Sequence, residues 1–101
     1  MSPAPLSVTA GAAGALALRG AISFGNAAEA LRAAPQPARG TRIEVDLSEL
    51  TGADSASLAV LIAWAAQARA RGAELRYLHA PTGLRNLARL SDVEALLGLD
   101  A

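Results

Sequence analysis

The sequence has 101 residues, of which 52% are hydrophobic and 18% are charged. This length suits one compact domain, and the composition can bury a core instead of staying disordered. The 9 basic and 9 acidic residues cancel, so the chain has no overall attraction for nucleic acid or for an anionic membrane surface. The absence of cysteine excludes a disulfide framework, a thiolate metal site and a cysteine nucleophile.

The cellular compartment is predicted from the N-terminal segment and from the length of the longest apolar run. The N-terminal segment Met1–Pro5 lacks the basic flank and apolar core of a secretory signal. The apolar run from Leu58 to Ala66 is well short of the ~20 residues that cross a bilayer. We therefore expect a cytoplasmic protein that inserts no segment into the membrane and reaches its inner face only through a partner. Residues 1–101 are expected to form a single domain.

The first elements in chain order form a predicted β-hairpin. Apolar and polar residues alternate in two short stretches on either side of a glycine-containing turn. The apolar positions are Leu6 and Val8, then Leu16, Leu18 and Ile22, and the turn glycines are Gly11 and Gly14.

A short helix is predicted next, because apolar residues between positions 27 and 34 recur at the spacing of one helix face. Asn26, with Glu29 three residues later, forms a weak capping signal before this helix. Pro35 and Pro37 should end it, since proline cannot continue the helical hydrogen bonds.

The centre of the chain carries the clearest strand and the clearest helix. Thr41 to Leu47 alternates strictly between apolar and charged residues, which predicts a strand. A polar loop is predicted from Ser48 to Ala53. The following helix begins at Asp54 or Ser55, keeps an apolar face and ends before Gly72, a usual C-terminal stop.

The last third predicts one more strand and two short helices. Leu75 to Leu78 forms the strand, Pro81 ends it, and Thr82 can cap the helix that follows. Ser91 and Glu94 have the spacing of a capping box for a final turn or two. The order is thus β-β-α-β-α-β-α-α. Two strand-helix-strand passages require crossovers, so we expect an α/β fold in which helices pack on a mixed sheet with parallel later strands.

The candidate functional constellation is Asp54-Ser55-Ala56-Ser57, where the main helix begins. First-turn amides and the positive end of the helix dipole would favour an anion there, such as a phosphoryl group on Ser55 or one brought by a partner. Ordinary N-capping by Asp54 or Ser55 explains the same residues. No general base accompanies Ser55, so we expect no enzyme.

The residues from Ile43 to Leu61, IEVDLSELTGADSASLAVL, resemble the central strand, loop and helix start of STAS domains. The segment from Leu18 to Phe24, LRGAISF, is similar to the L-x-G-x-(L/I)-(T/S)-F start of the MlaB branch of that family. The chain is thus identified as a STAS domain, related to anti-sigma-factor antagonists and most like MlaB. Ser57 is a departure, because the family usually has glycine there.

The MlaB resemblance implies a subunit without catalytic activity or cofactor that docks on the ATPase of a phospholipid ABC transporter and maintains outer-membrane lipid asymmetry. The alternative is an anti-sigma-factor antagonist, in which a partner kinase would phosphorylate Ser55. Ser57 in place of glycine disfavours that kinase more than it disfavours docking on an ATPase, because docking needs no phosphotransfer geometry.

Other residues have simpler explanations beside functional ones. Leu58, Arg85 and Arg89 are candidates for the partner surface, although the two arginines fit a solvated helix face equally well. Trp64 fits either the edge of the core or a partner anchor. His79 fits a strand-end packing or surface role, and its isolation predicts no metal site.

Overall fold

Within the residues that the structure describes, strands and helices follow one another in the predicted order β-β-α-β-α-β-α-α. The structure is a computed structural model, and it describes residues 6–10, 15–52 and 54–97. The predicted hairpin turn between Gly11 and Gly14 lies outside the described residues. The elements are β1 (Ser7–Ala10), β2 (Leu16–Gly20), α1 (Ala27–Arg32), β3 (Arg42–Leu50), α2 (Ser55–Ala70), β4 (Glu74–Leu78), α3 (Thr82–Leu90) and α4 (Glu94–Leu97).

The sheet is mixed, as predicted. Its strands lie in the order β1-β2-β3-β4, with β1 antiparallel to β2. β2, β3 and β4 are parallel neighbours, because α1 carries the chain back between β2 and β3, and α2 does so between β3 and β4. Leu18 of β2, Val45 of β3 and Tyr77 of β4 are fully buried and pack with the helices in one hydrophobic cluster.

β3 is longer than predicted. The predicted loop from Ser48 to Ala53 was wrong in its first part, because Ser48, Glu49 and Leu50 continue the strand. Leu50 is buried, and Glu49 pairs with Arg19 of β2 through an ion pair of 2.7 Å. Cross-strand pairing thus overrides the polar character of this segment.

The predicted caps of the last two helices were also wrong. Thr82 is the first residue of α3, the capping position is Pro81, and no side-chain cap bond is formed there. Ser91 is the C-cap residue of α3 instead of the N-cap of α4. Asp92 follows with a φ of 57°, and the amide of Val93 bonds to the carbonyl of Ala88, which closes α3 in a left-handed turn.

Two aromatic side chains fasten α2 to its neighbours. Trp64 is fully buried, and its Nε1 donates to the carbonyl of Ala30 in α1 at 2.9 Å. The Tyr77 hydroxyl of β4 donates to the carbonyl of Leu61 in α2 at 2.7 Å. Burial raises the pKa of Tyr77 well above its ordinary value, because the phenolate would lose its hydration. The start of α2 is therefore held on a firmly packed helix.

Candidate functional site

The loops after β2 and β3 meet at one edge of the sheet. Gly20 and Leu50, the last residues of these parallel strands, are register partners. Thr51 holds the two loops together, because its amide and its hydroxyl both donate to the carbonyl of Gly20, at 2.7 and 3.1 Å. The N-terminus of α2 is thus placed beside the segment that follows β2.

Asp54 caps α2, which was one of the two explanations left open by the sequence. Its Oδ1 accepts from the backbone amide of Ser57 at 2.9 Å, and its extended backbone is that of an N-cap residue. The Ser57 hydroxyl lies 2.9 Å from the carbonyl of Ile22 and 3.2 Å from Asp54 Oδ1. Since a hydroxyl has a single proton, it donates to one acceptor at a time, and the carbonyl is the nearer.

The residues of the constellation divide between surface and core. Asp54 and Ser55 are exposed, whereas Ala56 is buried and Ser57 is only 1% exposed. Leu58, a candidate for the partner surface, is 7% exposed and packs in the hydrophobic cluster. That candidate needs correcting, because the helix turns Ala56, Ser57 and Leu58 inward. At the start of α2, Asp54 and Ser55 are the residues of the constellation that a binding partner can contact.

Asn26 has a role that the sequence did not indicate. Its side chain makes no capping bond to α1, so the predicted cap with Glu29 was wrong. The side chain folds back instead: Oδ1 accepts from the amide of Ser23, and Nδ2 donates to the carbonyl of Ala21, both at 2.8 Å. This turn carries Phe24, whose side chain is 80% exposed. The L-x-G-x-(L/I)-(T/S)-F pattern includes Phe24, but nothing in the pattern shows its exposure.

Among the described residues, the remaining candidates make no ion pair or side-chain hydrogen bond with Ser55. Arg89 is exposed and Arg85 is half-buried on α3, and in the described residues neither forms an ion pair or a hydrogen bond with Asp54 or Ser55. Trp64 is a core residue, so the alternative of a partner anchor was wrong. His79 is a surface residue with a φ of 57°, and its Nδ1 lies 3.4 Å from Asp46 Oδ1.

Asp46 has a lowered pKa. The backbone amide of Ser48 donates to Asp46 Oδ1 at 2.8 Å and is the largest cause; partial burial opposes it, while the Ser48 hydroxyl and His79 lower the pKa further. A carboxyl with a lowered pKa in the folded state stabilises the protein above its unfolded pKa, which is about 4. That contribution is lost as the pH falls through the folded-state value.

We therefore expect Asp46→Asn to lower the free energy of unfolding at pH 7, and to have less effect as the pH falls from about 4. The loss should stay under about 1 kcal/mol, since the group is partly exposed and screened. Urea unfolding at several pH values measures it, with Glu44→Gln on the same strand as the control. An equal effect of Asp46→Asn at every pH would contradict this account.

A concavity of about 460 Å³ lies between β1 and α1. Leu6, Val8, Asn26, Glu29, Ala30 and Ala33 line it. The constellation residues do not, so in the described structure this concavity and the exposed start of α2 are separate features.

The fold and this helix start define a class, the α/β domains of the STAS type. A family model described as "Mlab, STAS domain" matches residues 7–98 of the chain. The chain therefore belongs to this STAS-domain family. Among curated proteins, none matches this chain significantly. Of the helices in the described ranges, none has both the length and the apolar character needed to span a membrane.

Proposed function

We propose that this protein is a non-catalytic subunit that binds and supports the ATPase of an Mla-type, phospholipid-transporting ABC transporter and so maintains outer-membrane lipid asymmetry. The family description, which names MlaB, is the observation that carries the proposal. The partner would hold the chain at the inner face of the inner membrane, while the chain itself stays in the cytoplasm.

The start of α2 is suited to docking on another protein. Ser55 is exposed at the first position of a helix of 16 residues, next to the exposed Asp54. The bonds from Thr51 to Gly20, the last residue of β2, and from Ser57 to Ile22, just after β2, fix this helix start before any partner arrives. A preformed surface loses little conformational freedom on binding, so more of the contact energy is available for affinity.

Binding to the purified ATPase subunit of the transporter tests the proposal. We expect the wild-type chain to form a complex, and Ser55→Glu to weaken it at least about 10-fold, because a longer charged side chain at the centre of a contact must be desolvated. Ala66→Glu is the matched control, since Ala66 is exposed on the same helix three turns away. Failure of the wild-type chain to bind the ATPase, or to change its assembly or activity, would refute the proposal.

The alternative function is an anti-sigma-factor antagonist that is regulated by phosphorylation at Ser55. The exposed hydroxyl of Ser55 favours it, because a kinase must reach its acceptor. Incubation with the anti-sigma kinase and ATP, followed by mass measurement, distinguishes the two functions. A phosphate that Ser55→Ala abolishes would support the alternative, whereas an unmodified chain that binds the ATPase would support the transporter function.

A further inference from the structure

Phe24 is the most exposed aromatic side chain of the described residues, at 80%. Water solvates a phenyl ring poorly, but single exposed apolar residues are common on protein surfaces. Leu90 is exposed to a similar degree, 85%, but it stands at the last position of α3. Exposure alone therefore does not show which of the two residues contacts a partner. The structure around Phe24 provides the further evidence.

Three hydrogen bonds made by Asn26 brace the turn around Phe24. The side chain of Asn26 bridges two backbone groups before Phe24: it accepts from the amide of Ser23 and donates to the carbonyl of Ala21. The backbone amide of Asn26 also bonds to the carbonyl of Ser23 at 3.2 Å. The backbone that carries the phenyl ring therefore loses little conformational entropy on binding, which lowers the cost of using the ring as an interface anchor.

The same turn is joined to the start of α2. The carbonyl of Ile22, two positions before Phe24, accepts from the buried Ser57 hydroxyl. Ser55 and Phe24 thus belong to two segments that a buried hydrogen bond holds side by side, at the edge where β2 and β3 end. We therefore expect a protein that docks on Ser55 at this edge to reach Phe24 as well.

We propose that Phe24 is the apolar anchor of the docking surface, and that it inserts into an apolar pocket of the ATPase partner beside the contact made with Ser55. This inference rests on the proposed function. The exposed carboxylates of Glu29, in the first turn of α1, and of Asp54, the cap of α2, favour a protein over an anionic membrane, since they would repel acidic lipid headgroups. They also predict basic residues on the rim of the partner's pocket.

The affinity for the purified ATPase subunit tests this anchor. We expect Phe24→Ala to weaken binding about 30-fold, because anchors of this kind carry a large share of the binding energy. Leu90→Ala removes an equally exposed apolar side chain at the C-terminal end of α3, outside the turn that carries Phe24, and should leave the affinity unchanged. Both variants should melt like the wild type, since neither side chain is packed.

A fluorescent label locates the contact directly. The chain has no cysteine, so Gly25→Cys and Leu90→Cys each provide a single attachment point for an environment-sensitive dye. A Cβ at Gly25 makes only an ordinary contact, 3.6 Å from Ser23 Oγ. We expect the ATPase to shift the emission of the dye at position 25 to the blue and to leave the dye at position 90 unchanged.

The outcomes separate the two proposals. If the wild-type chain binds the ATPase and Phe24→Ala binds equally well, the anchor is refuted and the docking function stands. If the wild-type chain does not bind, both proposals fall. A blue shift at position 25 with phosphatidylethanolamine–phosphatidylglycerol vesicles alone would assign Phe24 to a membrane instead. A shift that grows with the concentration of the chain alone would assign it to a second copy.

Discussion

Trp64→Ala is expected to remove about 3–5 kcal/mol from the free energy of unfolding, which is a large part of the stability of a small domain. The indole is 0% exposed and fills the space between α2, α1 and the sheet, so alanine would leave a cavity. The substitution also deprives the carbonyl of Ala30 of the Nε1 donor.

Trp64→Phe is the matched control. It keeps most of the ring and loses the donor, so we expect about 1–2 kcal/mol of destabilisation. Urea unfolding followed by circular dichroism measures both variants, since Trp64 is the single tryptophan and its fluorescence disappears with it. A loss below about 1 kcal/mol for Trp64→Ala would mean that the indole is not in the core.

Ser57→Asp is expected to destabilise the protein by about 3 kcal/mol, whereas Ser55→Asp should be neutral or slightly stabilising. Both variants add the same charge to the first turn of α2. At position 57 the new carboxylate is buried between the carbonyl of Ile22 and the carboxylate of Asp54, and neither can donate a hydrogen bond to it. At position 55 it lies in water near the positive end of the helix dipole.

Thermal and urea unfolding of both variants check this difference. Ser57→Ala separates the charge from the lost hydroxyl, and we expect it to cost about 1 kcal/mol. Similar stabilities for Ser55→Asp and Ser57→Asp would show that Ser57 is not buried. The expected tolerance at position 55 matters for function, because a charge placed there can then be tested for its effect on binding in a folded protein.

The order of elements could be predicted because the apolar residues of the main strand and the main helix recur with a clear period. Strict alternation around Val45 indicated a strand, and helical spacing before Gly72 indicated a helix. The extension of β3 could not be predicted, because Ser48 and Glu49 are polar and their strand conformation depends on the neighbouring β2. The caps at Thr82 and Ser91 failed because proline geometry and the left-handed Asp92 decide where these helices begin and end.

The candidate site could be predicted only in part. Spacing placed Asp54 and Ser55 at a helix start, since capping is a local interaction. The bond from Ser57 to Ile22 could not be predicted, because its acceptor is a backbone carbonyl 35 residues earlier in the chain. The serine side chain, at the position where the resemblance implied glycine, is buried and binds the segment after β2.

The hydroxyl of Tyr77, buried between β4 and α2, makes the stability of this fold sensitive to high pH. Ionisation would place a negative charge in a dry interior and break its bond to the carbonyl of Leu61, so the native ring stays neutral above pH 10, where an unfolded chain would release its proton. The free energy of unfolding therefore falls as the pH rises above about 10. As the protein contains one tyrosine, the appearance of tyrosinate absorbance would mark the separation of strand from helix.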